Sequence, residues 1–185
     1  MERMSSERKT YTNLDFIGED FLTENPKWRI IPVNESEYIV LTGDSIYGDN
    51  DKERKMDEVY LEMANSWGRN SHCKRAQVGC LMVNNKSIIS DGYNGSPTGF
   101  PNVCEDVSGN TLSWVLHAEA NAITKLAKST QSSVGSTLYV TLSPCFECSK
   151  LIIQSAIKRV VFTELYRKSE SLSFLLRGGI ELAKL

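Results

Sequence analysis

The stretch Thr137-Leu138-Tyr139-Val140-Thr141-Leu142-Ser143-Pro144-Cys145-Phe146-Glu147-Cys148 decides the fold. Thr137 to Leu142 is a short run of apolar and β-branched residues, the pattern of a strand. Pro144 lacks a backbone donor and has a preset φ, so it suits the start of a helix, which the following residues extend to about Ala156. Arg159 to Thr163 is a second strand-like run. Strand, helix and strand in so short a span point to neighbouring parallel strands with a crossover helix.

The pattern continues on both sides. Upstream, Met56, Val59, Tyr60, Met63, Ala64 and Trp67 recur at spacings of three and four, an amphipathic helix that stops near Gly68. Ala76 to Val83 and Ser87 to Ser90 flank the polar Asn84-Asn85-Lys86 turn and predict an antiparallel hairpin. After Tyr93-Asn94-Gly95-Ser96-Pro97 a long irregular stretch runs to about Trp114, the length of a functional loop or lid. A helix from about His117 to Lys128 follows. Downstream, a helix over Glu170 to Arg177 ends at Gly178-Gly179, and Ile180 to Ala183 makes a last strand. The expectation is an α/β three-layer sandwich with a mixed sheet.

The first 54 residues have a different texture. Met1 to Arg54 carries 12 acidic and 7 basic residues, whereas Lys55 to Leu185 carries 11 acidic and 14 basic, so an extension of net −5 precedes a domain of net +3. Trp28 to Val33 and Tyr38 to Leu41 could be strands, but so few apolar residues cannot offset ordering entropy alone. The division expected is therefore residues 1–54 as an acidic extension, packed on the domain or mobile, and residues 55–185 as the domain.

With 21 Lys and Arg against 23 Asp and Glu, the chain is near neutral, which argues against a broad polyanion-binding face. No apolar run reaches the roughly 20 residues needed to span a bilayer, and the charged Met1–Thr10 segment lacks the apolar core of a signal peptide. A soluble intracellular protein acting on small ligands is the expectation. Five cysteines in such a chain disfavour a full disulfide framework and favour metal or thiol chemistry.

Cys145 and Cys148 form a Cys-x-x-Cys pair with two readings, a redox dithiol or half of a metal site. Placed one and four residues into the helix after Pro144, they share a face and can converge on one ion. His117, at the start of the preceding helix, supplies a third ligand. His/Cys/Cys leaves the fourth position of a tetrahedral zinc for water, the arrangement of a catalytic rather than a structural site. Two thiolates and a neutral imidazole cancel the charge of Zn²⁺, and Glu119, two residues from a ligand, is placed to shuttle protons. Alone, each short motif is weak evidence, since Cys-x-x-Cys is as often redox or structural. In the order His-x-Glu then Pro-Cys-x-x-Cys, each opening a helix, they match the signature of zinc-dependent base deaminases.

Four motifs carry a closer resemblance: Cys73-Lys74-Arg75-Ala76-Gln77-Val78-Gly79, Gly92-Tyr93-Asn94-Gly95-Ser96-Pro97, His117-Ala118-Glu119-Ala120-Asn121-Ala122-Ile123 and Ser143-Pro144-Cys145-Phe146-Glu147-Cys148. From about Met56 to Leu185 the chain resembles the deoxycytidylate (dCMP) deaminases of the cytidine-deaminase-like superfamily. The resemblance implies a five-stranded mixed sheet between helices, with the last strand parallel to the fourth. It implies hydrolysis of dCMP to dUMP and ammonia for thymidylate synthesis, in the cytoplasm or that of a host, by a homo-oligomer, a hexamer favoured, activated by dCTP with Mg²⁺ and inhibited by dTTP. It assigns one zinc to His117, Cys145 and Cys148, the proton shuttle to Glu119 and a substrate contact to Asn94, and it places effector contacts at the loop holding Asn94 and Gly95. Lys74, Arg75, Tyr166 and Arg167, near strand ends, are candidates for the substrate phosphate.

Some relatives hold a second, structural zinc near Cys73 and Cys104. Here the histidine partners are missing: His72 is the only other histidine, and Val115 stands where such relatives supply a ligand. Cys73, Cys80 and Cys104 are therefore expected as buried free thiols. Two other readings compete with the dCMP deaminase, a deaminase of bases in nucleic acid and a zinc-stabilised binding module. The near-neutral chain and the lack of a basic, aromatic-interleaved run count against the first, and the retained Glu119 counts against the second.

Overall fold

The computed structural model describes residues 7–166 and 170–185. The elements in chain order are β1 (Glu7–Tyr11), α1 (Glu19–Glu24), β2 (Trp28–Pro32), β3 (Tyr38–Thr42), α2 (Asp51–Gly68), β4 (Gly79–Asn84), β5 (Ser87–Tyr93), α3 (Ala118–Leu126), β6 (Thr137–Leu142), α4 (Phe146–Gln154), β7 (Arg159–Glu164), α5 (Glu170–Arg177) and β8 (Glu181–Lys184). A short 3-10 turn over Gly43–Ile46 follows β3.

All eight strands join one mixed sheet in the order β1-β3-β2-β8-β7-β6-β4-β5. β6, β7 and β8 run parallel, so the last strand does lie parallel to its neighbour, and the β4–β5 hairpin pairs antiparallel to β6. The expected five strands are β4 to β8; the sheet has three more because the extension continues it. Antiparallel β2 lies against β8, with Ile30 opposite Leu182 and Arg29 opposite Ala183, and the β2–β3 and β1–β3 pairs follow. Without β2, β8 would expose a row of unpaired backbone groups.

Alternation along the central strands sorts the side chains into two cores. Cys80, Met82, Leu138, Val140, Val160, Phe162 and Leu182 point to one face, where α3 and α5 also contribute Ala118, Ala122, Leu172 and Leu175. Leu81, Tyr139, Val161 and Ala183 point to the other, which α2 covers with Tyr60, Leu61 and Ala64. This is the α-β-α sandwich expected. The extension belongs to the first core: Trp28, fully buried, meets Phe162 edge to face at 5.6 Å and touches Phe21 at 6.0 Å. Its indole N–H finds no acceptor among the described residues. Trp28→Ala should therefore cost about 3–5 kcal/mol in denaturant unfolding, whereas Trp28→Phe, which loses an unsatisfied donor along with some area, should cost less than about 1.5 kcal/mol.

On the α2 face a network of charges ties extension and domain together. Arg159 of β7 grips the buried Asp57 of α2 with both terminal nitrogens, at 2.8 and 2.7 Å, while its Nε donates to Glu181 Oε1 at 2.7 Å. Arg29 of β2 donates to the same Glu181 oxygen at 2.6 Å and pairs with Glu53 at 3.1 Å. The hydroxyls of Tyr47 and Tyr139 donate to Asp57, each at 2.6 Å. Burial works to raise the Asp57 pKa, but the Arg159 guanidinium and the two phenols hold it below the usual carboxylate value.

Candidate metal centre and its cavity

Two helix N-termini bring the chemical groups together. His117 is the N-cap of α3, and Gly92 of β5 lets that helix approach, since a Cβ there would lie 2.2 Å from the Ala118 carbonyl oxygen. Cys145 is the N-cap of α4, one position earlier than the sequence suggests, because helical geometry begins at Phe146; its Sγ accepts the Cys148 N–H at 3.5 Å. α3 and α4 pack side by side. The His117 Nδ1 atom then lies 3.3 Å from Cys145 Sγ and 3.5 Å from Cys148 Sγ, and the three donor atoms fall within 4.8 Å of one another. A tetrahedral zinc with ordinary Zn–N and Zn–S bonds needs N···S edges of about 3.6 Å, so the donor set fits that ion. His117 is solvent-facing, Cys145 half-buried and Cys148 buried, which leaves access from the His117 side.

The electrostatics agree with a thiolate site. The hydrogen bond from the Cys148 thiol, followed by that from His117, pulls the Cys145 pKa down to about 4. The contact with Cys145, together with burial, shifts the Cys148 thiol up. The contact with Cys145 raises the His117 pKa. Glu119 is 4% exposed, and burial pushes its carboxyl up to about 7.

A cavity of about 390 Å³ opens at this centre. His117, Glu119 and Cys145 line it together with three of the residues singled out in the sequence, Asn94, Arg75 and Tyr166. Asn94 is pinned at both ends of its amide, accepting the Val78 N–H at 2.8 Å and donating to the Ala76 carbonyl at 2.9 Å. Lys74 does not reach the cavity; it borders a separate hollow beside His72, and its backbone N–H donates to Glu105. Gly95 lies on another cavity of about 630 Å³, on the far side of the Tyr93–Pro97 loop. Arg167 lies outside the described residues. The sequence reading did not single out Glu105, Thr111 and Glu164, which also line the active cavity. Glu164 ends β7, and its position at a strand terminus was the available signal.

The expectation for Cys73 and Cys104 is corrected: the two are joined by a disulfide, with Cα atoms 5.0 Å apart. The loop after β5 doubles back and lays Cys104 on Cys73, a pairing that a separation of 31 residues concealed. Cys80 remains a free buried thiol, its pKa pushed well up by desolvation. Thiol titration of the unfolded, zinc-stripped, unreduced chain should therefore find three thiols, rising to five after reduction.

Residues 54–164 match the cytidine and deoxycytidylate deaminase zinc-binding region, which is more than half of the chain. The deoxycytidylate deaminase of Mycobacterium phage D29 is 38% identical over 120 residues, covering 57% of this chain and 92% of that protein. That of Enterobacteria phage T4 is 34% identical over 151 residues, covering 60% and 78%. The crystal structure of the cyanophage S-TIM5 dCMP deaminase with dCMP and dUMP superposes with a TM-score of 0.69 at 42% identity, covering 71% of this chain and 97% of that one. Donor geometry, buried carboxylate and these matches agree: the chain belongs to the cytidine and deoxycytidylate deaminase zinc-binding family.

Proposed function

We propose that the protein hydrolyses dCMP to dUMP and ammonia. The observation that carries this is the placement of a zinc-fitting His117/Cys145/Cys148 set, the buried Glu119 and the cation Arg75 around one cavity of nucleotide size. His117 Nδ1 and the two Sγ atoms would hold zinc, which when bound supplies Lewis-acid activation of the attacking water. Glu119 takes the proton of that water and delivers it to N3 of the cytosine ring as C4 is attacked. The carboxylate so regenerated then takes the proton of the new C4 hydroxyl and passes it to the exocyclic amine, so that the C4–N bond breaks, ammonia leaves and a C4 carbonyl remains. A carboxyl held near neutrality by burial suits both receipt and return of the proton.

Asn94 has one amide hydrogen and one lone pair left after its two backbone bonds, enough for a pyrimidine edge or a sugar hydroxyl. Arg75 serves the phosphate and Tyr166 borders the same pocket, while Lys74 adds positive charge from outside it. The cavity behind Gly95 includes Lys125 and Lys128 and is the place for a nucleotide effector, dCTP with Mg²⁺ or dTTP, in a homo-oligomer, a hexamer favoured. Support for this regulation and for a cytoplasmic setting comes from the family resemblance. No helix among the described residues is long and apolar enough to cross a membrane. The described part of the 1–54 extension, from Glu7 onward, is assigned to completing the sheet beside β8 rather than to chemistry.

The test is a panel of dCMP, dCTP, cytidine and a cytosine-containing single strand, each incubated with zinc-loaded protein. Uracil product from dCMP in preference to the others is expected. Deamination of the strand alone would overturn the proposal.

A further inference from the structure

Within the long loop between β5 and α3, residues 104–112 close on themselves as a small hairpin. Glu105 bridges Thr111, and the Leu112 N–H donates to the Cys104 carbonyl at 2.8 Å. The turn is set by Asp106, whose Oδ1 accepts the N–H groups of Ser108 and Asn110 at 2.8 and 2.9 Å, with Gly109 at φ +80°. The disulfide from Cys104 fastens the base of this hairpin to Cys73.

The hairpin holds Arg75 in two ways. Glu105 Oε1 accepts two successive backbone N–H groups, those of Lys74 at 2.9 Å and Arg75 at 3.2 Å. Thr111 Oγ1, on the bridge partner of Glu105, accepts from Arg75 Nη1 at 3.2 Å. All three side chains line the cavity that contains His117 and Glu119. A guanidinium has five N–H donors, and among the described residues no carboxylate pairs with that of Arg75. Its remaining edge is open for bidentate contact with a phosphate. Glu105 Oε1 is committed to these two backbone donors, and its negative charge is unsuited to binding a phosphate dianion, so its contacts point to fixing the turn.

We propose that Glu105 is a positioning residue that fixes the Lys74–Arg75 turn so that Arg75 meets the 5′-phosphate of the substrate, making the hairpin the element that selects nucleotides over nucleosides. This rests on the dCMP reading above, and its failure is separable: if that reading is wrong, the unsubstituted enzyme makes no dUMP.

The experiment measures KM and kcat for dCMP in zinc-loaded Glu105→Ala, Glu105→Gln, Arg75→Ala and the double Arg75→Ala/Glu105→Ala protein, with zinc content and thermal unfolding as checks. A misplaced contact is worth up to about 100-fold, so Glu105→Ala should raise KM about 10- to 100-fold with kcat within about threefold. Glu105→Gln, which keeps an acceptor oxygen, should stay within about threefold of the unsubstituted KM. The double variant should match Arg75→Ala within about twofold, because a residue acting through Arg75 has nothing left to position. An unchanged KM in Glu105→Ala, a loss confined to kcat or zinc content, failure of the glutamine rescue, or full additivity in the double variant would each overturn the proposal.

Discussion

Glu119→Gln is expected to lower kcat for dCMP by about 10³-fold or more while the protein still binds one zinc per chain. General acid–base catalysis by a positioned group contributes about 10²–10⁴-fold, and in the proposed mechanism one carboxyl performs two transfers, to the ring nitrogen and to the leaving amine. Glutamine keeps the volume and hydrogen-bonding reach in a site that is 4% exposed, so packing changes little. The metal set comprises His117, Cys145 and Cys148 without Glu119, so zinc stoichiometry separates lost chemistry from a lost ion. Stopped assays with zinc quantification check it; a rate within tenfold of the unsubstituted enzyme would remove Glu119 from the mechanism.

Asp57→Ala should strongly destabilise the fold, although Asp57 does not line the cavity. It strips a largely buried Arg159 of its bidentate partner and leaves the Tyr47 and Tyr139 hydroxyls without their acceptor. Breaking such a pair by removing one member costs about 3–5 kcal/mol, because the other charge stays buried, and in a domain of this size that lowers Tm by about 10 °C. Replacing both members with apolar residues, as in Asp57→Leu/Arg159→Met, should cost less than the single change. The pH dependence follows from the depressed Asp57 pKa. A carboxylate whose folded pKa lies below its unfolded value contributes its full stability above the unfolded value, about pH 4, and loses it as pH falls through the folded value. Unsubstituted protein should therefore lose stability below about pH 4 more steeply than Asp57→Asn. Chemical denaturation at several pH values measures both effects.

How far these features were legible in the sequence depends on their range. The β6–α4–β7 unit and the zinc donors are local: apolar runs end at Pro144, and each ligand sits at a helix start. What joins distant segments was hidden. Glu7–Tyr11, Glu-Arg-Lys-Thr-Tyr, has no apolar alternation and becomes a strand only because β3 offers it an edge. Trp28 to Val33 looked like a strand, but nothing local names β8 as its partner. Asp57 falls next to Met56 in an amphipathic helix and passes for a solvated charge until Arg159, 102 residues away, is placed against it. The length of the irregular loop points to a functional segment, yet nothing local shows that Glu105 and Thr111 meet the Lys74–Arg75 turn, or that Cys104 meets Cys73, once the loop folds back.

Zinc-dependent deamination of dCMP is tested most directly by stripping the metal, restoring zinc in steps and measuring dUMP and ammonia from dCMP at each step. The rate is expected to rise in proportion to occupancy up to one zinc per chain, with dUMP and ammonia formed one to one. Full occupancy of the His117/Cys145/Cys148 site with no dUMP formed, or equal dUMP formation by the stripped chain, would contradict it.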